Sequence, residues 1–323
     1  MKIAVWGAGA VGLLWAHRLA GFFPGTLLLT RTREQRDKIR AEGLALTGLD
    51  GVHRIARNLD VRWSREERLP ACDVIFLTVK QTVVPVIAAE VRRVGHSSSD
   101  IWLWQNGMGQ ERLLGDDIDS HRLYRAVTTE GALREGPACV RHTGRGETRV
   151  GPVGGESISP LTAGLIRVLV SSGFSIFPDR EIDRRAWEKL AINCVINPLT
   201  ALWNVSNGDL PGREGFSAWM DGILKEVVRV AEAEGIVLSE AELSEKVRAV
   251  CRDTAANRSS MLQDLLRGEK TEVDYINGAV GEKGKQHGIP TPFNDRLTLL
   301  VHRAEEEGVP EGEDGLSHPP SSG

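Results

Sequence analysis

Three polar side chains recur at four-residue intervals inside an otherwise apolar segment. Lys189, Asn193 and Asn197 stand at i, i+4 and i+8, which places them along one face of a helix. A surface helix would carry a broader and more charged polar face. Burying such a group without a partner costs about 1–3 kcal/mol, so a bound polar ligand is the simplest partner for all three. The alternatives are a narrow stripe that faces solvent and polar contacts between helices.

The lysine of this stripe has the chemistry of a proton donor. An apolar cleft disfavours the ammonium form and lowers the pKa of a lysine towards working pH. Such a lysine can protonate a developing alkoxide. Pro198 lacks an N–H group and disfavours a helical conformation at Asn197. The sequence therefore predicts that the helix kinks or ends there, which would open Asn197 to a ligand.

A glycine-rich turn near the N-terminus predicts a nucleotide-binding site. The segment GAGAVG follows an apolar strand pattern and precedes a helical pattern from Ala10 to Leu19. In a doubly wound sheet the first glycine allows the turn, the second admits a pyrophosphate, and the third lets helix and strand pack closely. The alternative is an ordinary glycine-rich turn. The cofactor-binding residues predicted from this motif are Gly7, Ala8, Gly9, Ala10, Val11 and Gly12.

The end of the second predicted strand favours NADP(H) over NAD(H). NAD enzymes of this fold carry an acidic residue there, which binds the ribose hydroxyls and repels a 2′-phosphate. Here the strand runs into Arg31 and Arg33, and no acid occurs before Glu34. Arg31 can form two charge-assisted hydrogen bonds with a phosphate. The alternative is that these arginines belong to a solvated loop.

Further polar residues occur where ligands bind in such folds. Lys80 and Asn106 each follow a predicted buried strand, and ligands bind at the carboxyl ends of parallel strands. An exposed helix start and a tight turn are the respective alternatives. Residues 257–263 could present amide and hydroxyl donors to a carboxylate, with helix capping as the alternative for their serines. Glu272 lies in the opening turn of a predicted helix, where acids are also favoured as caps.

Apolar patterning divides the chain into an α/β half and an all-α half. Short apolar runs predict parallel strands covered on both faces over residues 26–30, 73–79 and 101–104. A further strand is predicted over residues 123–128, and another apolar stretch covers residues 173–177. Antiparallel edge strands are expected within residues 139–153. Helical periodicity then runs from about residue 180 to 305. The prediction is an N-terminal doubly wound Rossmann-like sheet (residues 1–178), a C-terminal all-α domain (179–308) and a disordered tail (309–323).

Composition and charge exclude several classes of protein. The chain is 41% apolar and 26% charged, as in soluble globular proteins, and its net charge of −4 provides no basic excess for nucleic acid. No run is long enough to span a membrane, and no signal peptide precedes the first strand. The four cysteines form no C-x-x-C pair, which favours reduced thiols over a disulfide framework or a metal site. We expect a cytoplasmic protein.

These motifs together resemble the 2-dehydropantoate 2-reductase (ketopantoate reductase) family. The resemblance extends from Met1 to about Arg303 and leaves out only the tail. It rests on motifs that follow one another in order through both halves: GAGAVG at 7–12, TVK at 78–80, QNGMG at 105–109, WEKLAINCVINP at 187–198, NG at 207–208, SSMLQD at 259–264 and TEVDYING at 271–278.

The resemblance implies a role for each matching residue. Lys189 would be the general acid that protonates the C2 oxygen of a 2-keto acid as hydride arrives. The substrate would be bound by Asn106, Asn193, Asn197, Asn207 and Ser260. Beyond the glycine turn, NADP(H) would be bound by Arg31, Lys80, Asn106, Ala132 and Glu272. Glu130 departs from some relatives, and its charge would weaken nicotinamide binding if it faced the cofactor.

The expected function is NADPH-dependent reduction of 2-dehydropantoate to pantoate, in the synthesis of pantothenate and coenzyme A. Two alternatives stay open, namely a reductase of another small 2-keto acid and a regulator that senses NADP(H) without catalysis. A pure sensor needs no proton donor, which weighs against the second alternative. The sequence is compatible with either a monomer or a homodimer.

Overall fold

The computed structural model describes residues 1–115, 118–155 and 157–309, together with Leu316 and Pro320. The tail predicted over residues 309–323 therefore lies mostly outside the described residues. Within this tail Leu316 is described, and it is only 2% exposed. Its carbonyl accepts a hydrogen bond from the indole nitrogen of Trp219 at 2.9 Å.

Contacts between residues divide the chain into two units. The first comprises Met1–Gln105 and Gln110–Asp183, and the second comprises Asn106–Gly109 and Arg184–Gly323. Residues 106–109 thus belong to the second unit, although the chain on both sides of them belongs to the first. After Asp183 the chain belongs to the second unit only. The boundary after residue 178 stays a prediction, and the two units are described separately below.

The first unit is built around a large sheet. The strands among its described residues are β1 (Ile3–Trp6), β2 (Leu27–Thr30), β3 (Leu44–Thr47), β4 (His53–Ala56), β5 (Asp60–Trp63), β6 (Val74–Leu77), β7 (Asp100–Leu103), β8 (Leu123–Thr128), β9 (Gly131–Gly136), β10 (Cys139–Gly144), β11 (Thr148–Pro152) and β12 (Ile176–Pro178). Eight of them form the main sheet in the order β12-β11-β8-β7-β6-β1-β2-β5. The six from β8 to β5 are parallel, and β11 runs antiparallel to β8.

Helices cover this sheet, as its sequence pattern predicts. The helices of the first unit are α1 (Ala10–Ala20), α2 (Arg33–Glu42), α3 (Val84–Val94), α4 (Gln110–Leu113) and α5 (Pro160–Ser171). Strands β1, β2, β6 and β7 are buried along their whole length, as parallel strands between helical layers must be. The strand order reverses at β1, which lies between β2 and β6. Ligands of open α/β sheets bind at such a reversal, and the predicted doubly wound sheet is confirmed.

A second sheet corrects the prediction for residues 139–153. Strand β10 joins a four-stranded sheet of order β4-β3-β10-β9, whereas β11 pairs with β8 in the main sheet and lies one strand from its edge. Helix α1 packs against β9 and β10, and its side chains share one apolar core with both sheets. The alternation of polar residues in the sequence predicted these strands but not the strands with which they pair. Their pairing depends on packing against a second face of α1, which the sequence pattern does not reveal.

The second unit is all-helical, as predicted. Its helices among the described residues are α6 (Ile182–Trp203, whose first two residues belong to the first unit), α7 (Phe216–Ala233), α8 (Glu240–Asp253), α9 (Ser260–Leu266), α10 (Asn277–His287) and α11 (Pro292–Glu307). Glu226 on α7 is 5% exposed and accepts hydrogen bonds from the backbone N–H groups of Phe293 and Asn294 at 2.8 and 3.0 Å. This carboxylate therefore caps the start of α11. In the part of the chain that the structure describes, no helix has the length and apolar character to span a bilayer.

Two helical glycines should respond oppositely to the same substitution. A Cβ at Gly222 on α7 would overlap the Phe293 ring, whereas a Cβ at Gly164 on α5 would have no atom within 4 Å. We expect Gly222→Ala to lower the free energy of unfolding by about 1–3 kcal/mol, because α11 must shift. Gly164→Ala should raise it by about 0.5–1 kcal/mol through lower backbone entropy in the unfolded chain. Urea denaturation followed by circular dichroism measures both, and equal effects would contradict the packing.

Candidate active site

The glycine-rich turn joins β1 to α1 where the strand order reverses. Gly7 has a φ of +118°, a conformation that favours glycine. A Cβ at Gly12 would overlap the carbonyl oxygen of Gly7, so this glycine is required for α1 to pack on the strand. A Cβ at Gly9 would have no atom within 4 Å. The open space at Gly9, before the unpaired N–H groups of α1, fits the approach of a pyrophosphate.

Two side chains that sequence reasoning missed hold this turn. Thr78 directly follows β6 and donates from Oγ1 to the carbonyl of Gly7 at 2.9 Å. Gln35 on α2 is 7% exposed and donates from Nε2 to the carbonyls of Ala8 and Pro137, both at 2.9 Å. The sequence signal for Gln35 was weak. Gln35 is an uncharged residue in a highly charged helix and lies four positions before Ile39, so the two share the buried face.

The other residues predicted for the cofactor in the first unit lie at strand ends and on the second sheet. Lys80 precedes a 3₁₀ turn just beyond β6, and Ala132 is half-buried on β9. Arg31 is exposed directly after β2, and no acidic residue stands at that strand end. Within the described residues its guanidinium has no hydrogen-bond or ion-pair partner.

Glu130 is paired within the first unit. Its carboxylate accepts two hydrogen bonds from the Arg18 guanidinium, at 2.6 and 2.8 Å, and both side chains are about one-tenth exposed. His142 lies 3.5 Å from the same carboxylate. The negative charge of Glu130 is therefore balanced by Arg18, and the free carboxylate that would repel a cofactor is not present.

Helix α6 continues through Pro198, so of the predicted kink or end, the end is wrong. A proline lacks the N–H that would bond the carbonyl four residues earlier, here that of Cys194. Asn277 replaces it by donating from Nδ2 to that carbonyl at 3.0 Å. The same amide group donates to Oδ1 of Asn294 at 3.0 Å, and Nδ2 of Asn294 donates to Glu226 at 2.7 Å. A buried polar network thus supports the helix at its proline.

The unbroken helix keeps Lys189, Asn193 and Asn197 on one face. Between residues 186 and 203, every position is buried except Lys189, Ile192 and Asn193, which are half-buried. Asn197 is 7% exposed. Among the residues that the structure describes, none provides a hydrogen bond to any of the three polar side chains. Polar contacts between helices therefore do not account for this stripe.

Lys189 lies in surroundings that favour release of its proton. Desolvation lowers the pKa of Lys189 to about 8, and the nearby charge of Glu272 opposes this effect. Glu272 is half-buried just before a 3₁₀ turn and accepts a hydrogen bond from Nδ2 of Asn106 at 3.4 Å. The structure thus brings Lys189, Glu272 and Asn106 together in the second unit.

The loop that carries Asn106 is held against the backbone of Tyr275, three residues after Glu272. Gly107 has a φ of +84°, and a Cβ there would overlap the carbonyl oxygen of Tyr275. The same carbonyl accepts a hydrogen bond from the backbone N–H of Met108 at 3.0 Å. This close approach explains why residues 106–109 belong to the second unit although they follow β7 of the first.

The two remaining predicted substrate residues differ in their surroundings. Asn207 donates from Nδ2 to Oγ1 of Thr254 at 2.8 Å, and Oδ1 of Asn207 is buried without a partner among the described residues. Ser260 is exposed at the first residue of α9. Its neighbour Ser259, which caps α9, is the serine that contacts α6, through a hydroxyl pair with Thr200 at 2.6 Å.

The described residues contain no group of three or more His, Cys, Asp or Glu side chains that could hold a metal ion. The four cysteines, all of them described, are unpaired, and only Cys139 is not fully buried.

Sequence comparison identifies the family. A family profile described as "Ketopantoate reductase PanE/ApbA" matches residues 3–155, and one described as "Ketopantoate reductase PanE/ApbA C terminal" matches residues 181–305. The chain is 32% identical over 308 residues to the 2-dehydropantoate 2-reductase of Halobacterium salinarum, covering 95% of this chain and 100% of that relative. The chain belongs to the ketopantoate reductase family. The sequence-based identification is confirmed, and the family is one of oxidoreductases.

Solved structures related to the ketopantoate reductase family are similar along nearly the whole chain. A ternary structure of D-mandelate dehydrogenase with NADH and anilino(oxo)acetate has a TM-score of 0.87 and 27% identity, covering 95% of this chain and 99% of its own. A PanE/ApbA family ketopantoate reductase from Ralstonia eutropha JMP134 has a TM-score of 0.85 and 28% identity, with the same coverage. The predicted fold class is thereby confirmed.

The role of Asn277 at the helical proline can be tested by a double-mutant cycle. Asn277→Ala leaves the Cys194 carbonyl without its donor, and we expect the free energy of unfolding to fall by about 1–3 kcal/mol. Pro198→Ala restores a backbone N–H for that carbonyl, so Asn277→Ala should have a smaller effect in the Pro198→Ala background. Urea denaturation of the four proteins gives the coupling free energy. Additive effects would show that Asn277 does not replace the missing donor.

Proposed function

We propose that this chain reduces the ketone of 2-dehydropantoate to the hydroxyl of pantoate with NADPH, and that Lys189 is the general acid. The observation that carries the proposal is the state of Lys189, a half-buried ammonium with a pKa of about 8. It shares a helix face with Asn193 and Asn197, neither of which has a partner among the described residues. The oxygen atoms of a 2-keto acid can accept hydrogen bonds from these three side chains. The reaction would serve pantothenate synthesis.

Lys189 would neutralise the charge that develops during reduction. When the C2 carbon becomes tetrahedral, its oxygen gains negative charge, which an adjacent ammonium stabilises and then protonates. A pKa of about 8 leaves Lys189 mostly charged at pH 7 and makes it a better proton donor than an ordinary lysine. The carboxylate of Glu272 helps to keep Lys189 protonated, and Asn106 orients that carboxylate.

The asparagines and one serine would hold the rest of the substrate. Asn193 and Asn197 extend from Lys189 along the same helix face and can donate their amide N–H groups to the oxygens of the keto acid. The Thr254 hydroxyl donates to a helical carbonyl at 2.6 Å, so its oxygen accepts from Asn207 and leaves Oδ1 of Asn207 as an acceptor. That acceptor suits the substrate hydroxyl. The exposed hydroxyl of Ser260 suits the carboxylate.

The residues of the first unit fit a phosphorylated dinucleotide. NADPH, when bound, supplies the hydride that reaches C2 of the substrate. The open approach at Gly9 and the free N–H groups of α1 suit its pyrophosphate, and the exposed guanidinium of Arg31 suits its 2′-phosphate. We assign cofactor binding in the first unit to Gly7, Ala8, Gly9, Ala10, Val11, Gly12, Arg31, Lys80 and Ala132, and in the second unit to Asn106 and Glu272.

A second candidate function follows from the structural similarity to D-mandelate dehydrogenase with NADH, at a TM-score of 0.87. On this alternative, the chain would interconvert another 2-keto acid and its 2-hydroxy acid, with NADH as reductant. Both candidates use Lys189 as the proton donor. They differ in the side group of the 2-keto acid and in the 2′-phosphate on the adenosine of the cofactor.

A substrate and cofactor panel separates the two candidates. We expect the kcat/KM of the wild type to be highest for 2-dehydropantoate with NADPH. 2-Oxoisovalerate lacks the hydroxyl, and we expect a kcat/KM lower by about 10² or more, because a buried acceptor then loses its donor. Phenylglyoxylate, pyruvate and oxaloacetate complete the panel, each with NADPH and NADH. A maximum for phenylglyoxylate with NADH would favour the second candidate, and no turnover at all would indicate a sensor.

The role of Lys189 predicts a specific pH dependence. Reduction requires the ammonium form, so kcat/KM, which reports the pKa values of the free enzyme, should fall as pH rises through about 8. Lys189→Ala should lower kcat by about 10²–10⁴ and abolish this inflection, while the Kd for NADPH stays nearly unchanged. Steady-state rates from pH 6 to 10, with fluorescence titration of NADPH, provide the measurement.

The matched control for this test is Lys225→Ala. Lys225 is an exposed lysine of the same unit, on α7, and its removal should alter neither kcat nor the inflection. Lys189→Arg keeps the charge but titrates far above pH 8, so any residual activity should show no inflection near 8. An alkaline inflection that persists in Lys189→Ala would reject the assignment.

A further inference from the structure

A tryptophan beside the predicted phosphate-binding arginine is not explained by packing alone. Trp63 is the last residue of β5, and it is paired in register with Thr30 at the end of β2. It is half-buried, and its indole Nε1 donates a hydrogen bond to the backbone carbonyl of Arg31 at 3.1 Å. The turns that follow these two strands are also joined by a bond of 2.9 Å from the N–H of Ser64 to the carbonyl of Thr30. The indole therefore fixes the backbone of Arg31.

The same indole also holds a second arginine. The guanidinium carbon of Arg33 lies 4.3 Å from the centroid of the Trp63 ring, which is a cation–π contact. Arg33 is exposed, and the side chain two residues before it, Arg31, has no partner among the described residues. One aromatic ring thus holds the backbone of Arg31 and the guanidinium of Arg33 at the end of β2.

Among the described residues, no neighbouring acid forms a hydrogen bond or an ion pair with the guanidinium groups of Arg31 and Arg33. Glu66 accepts hydrogen bonds from the backbone of Trp63 at 3.0 Å and from Arg36 at 3.3 Å. Asp37 accepts one from Arg36 at 2.8 Å. Glu34, in the first turn of α2, is exposed to solvent. The hydrogen bonds of Glu66 and Asp37 thus go to Arg36, and the charge of Arg33 acts on Asp37 only through space. Both guanidinium groups of Arg31 and Arg33 can therefore still donate hydrogen bonds to a ligand.

We infer that Trp63 is a positioning residue that makes Arg31 and Arg33 a two-cation receptor for the 2′-phosphate, and so determines the preference for NADP(H). The inference rests on the NADPH preference in the proposed function and deepens it. A phosphomonoester carries close to two negative charges at neutral pH and can pair with two guanidinium groups. With the backbone of Arg31 and the side chain of Arg33 held in place before binding, less conformational freedom is lost when the phosphate arrives.

Binding of NADP⁺ and NAD⁺ to the full chain tests this role, since the two ligands differ only in the 2′-phosphate. Isothermal titration in phosphate-free buffer provides both Kd values without turnover. Trp63→Phe keeps a ring for Arg33 but loses the bond to Arg31, and we expect NADP⁺ affinity to fall about threefold. Trp63→Leu loses both contacts, and we expect a fall of about tenfold. The affinity for NAD⁺ should stay within about twofold in both variants.

Arginine substitutions show whether Trp63 acts through its neighbours. Arg31→Met and Arg33→Met should each lower NADP⁺ affinity by about tenfold or more and leave NAD⁺ affinity unchanged. In the Arg33→Met background, Trp63→Leu should have only the threefold effect of Trp63→Phe, because the stack no longer exists. The matched control is Arg93→Met, which removes an exposed arginine of α3 and should change neither affinity.

The outcomes separate this inference from the proposed function. If the wild type binds NADP⁺ no more tightly than NAD⁺, the NADPH preference fails, and the inference fails with it. If the wild type prefers NADP⁺ but Trp63→Leu leaves both affinities unchanged, only the inference is overturned. Equal weakening of NADP⁺ and NAD⁺ by Trp63→Leu also overturns it, because it would reveal a purely structural role. Thermal denaturation of each variant confirms that the compared proteins are folded.

Discussion

The hydrogen bond from Asn277 to the carbonyl of Cys194 allows α6 to contain a proline and remain one helix. Without a donor at that carbonyl, a buried acceptor would be left unpaired in the middle of the unit. The bond does not stand alone, because Asn277 also contacts Asn294, which is held in turn by the capping carboxylate of Glu226. The regularity of the helix that carries Lys189 thus depends on polar groups contributed by three other helices.

Burial on this helix destabilises the charged form of Lys189. Its pKa of about 8, against an ordinary value of 10.5, corresponds to roughly 3 kcal/mol that disfavour the charged form in the folded chain. Because the folded pKa lies below the unfolded one, this destabilisation is fully present below pH 8 and disappears as pH rises towards 10.5. This desolvation opposes stability and agrees with the proton-donor role proposed for Lys189.

The first unit meets a different constraint, which is to keep a backbone turn open while its surroundings are closely packed. Gly12 is needed because α1 approaches the turn so closely, whereas the space at Gly9 is left free. Thr78 and Gln35 bind the carbonyls of Gly7 and Ala8, and the N–H of Gly7 donates to the carbonyl of Leu29 at 3.1 Å, so the N–H groups left for a ligand are those at the start of α1. The same helix α1 lies against the second sheet, which is why strands β9 and β10 leave the main sheet.

The sequence by itself determined the features that depend on local geometry. Helical periodicity placed Lys189, Asn193 and Asn197 on one face, and the glycine spacing marked the turn, because both follow from backbone dimensions over a few residues. Only the tertiary structure decided that α6 passes through Pro198, that Glu130 is paired with Arg18, and that Trp63 lies beside Arg31. Each of these depends on a partner far away in the chain, or on which strand pairs with which. Local patterning carries no information about such partners, since a hydrogen bond or ion pair is selected by distance in space and not by spacing in sequence.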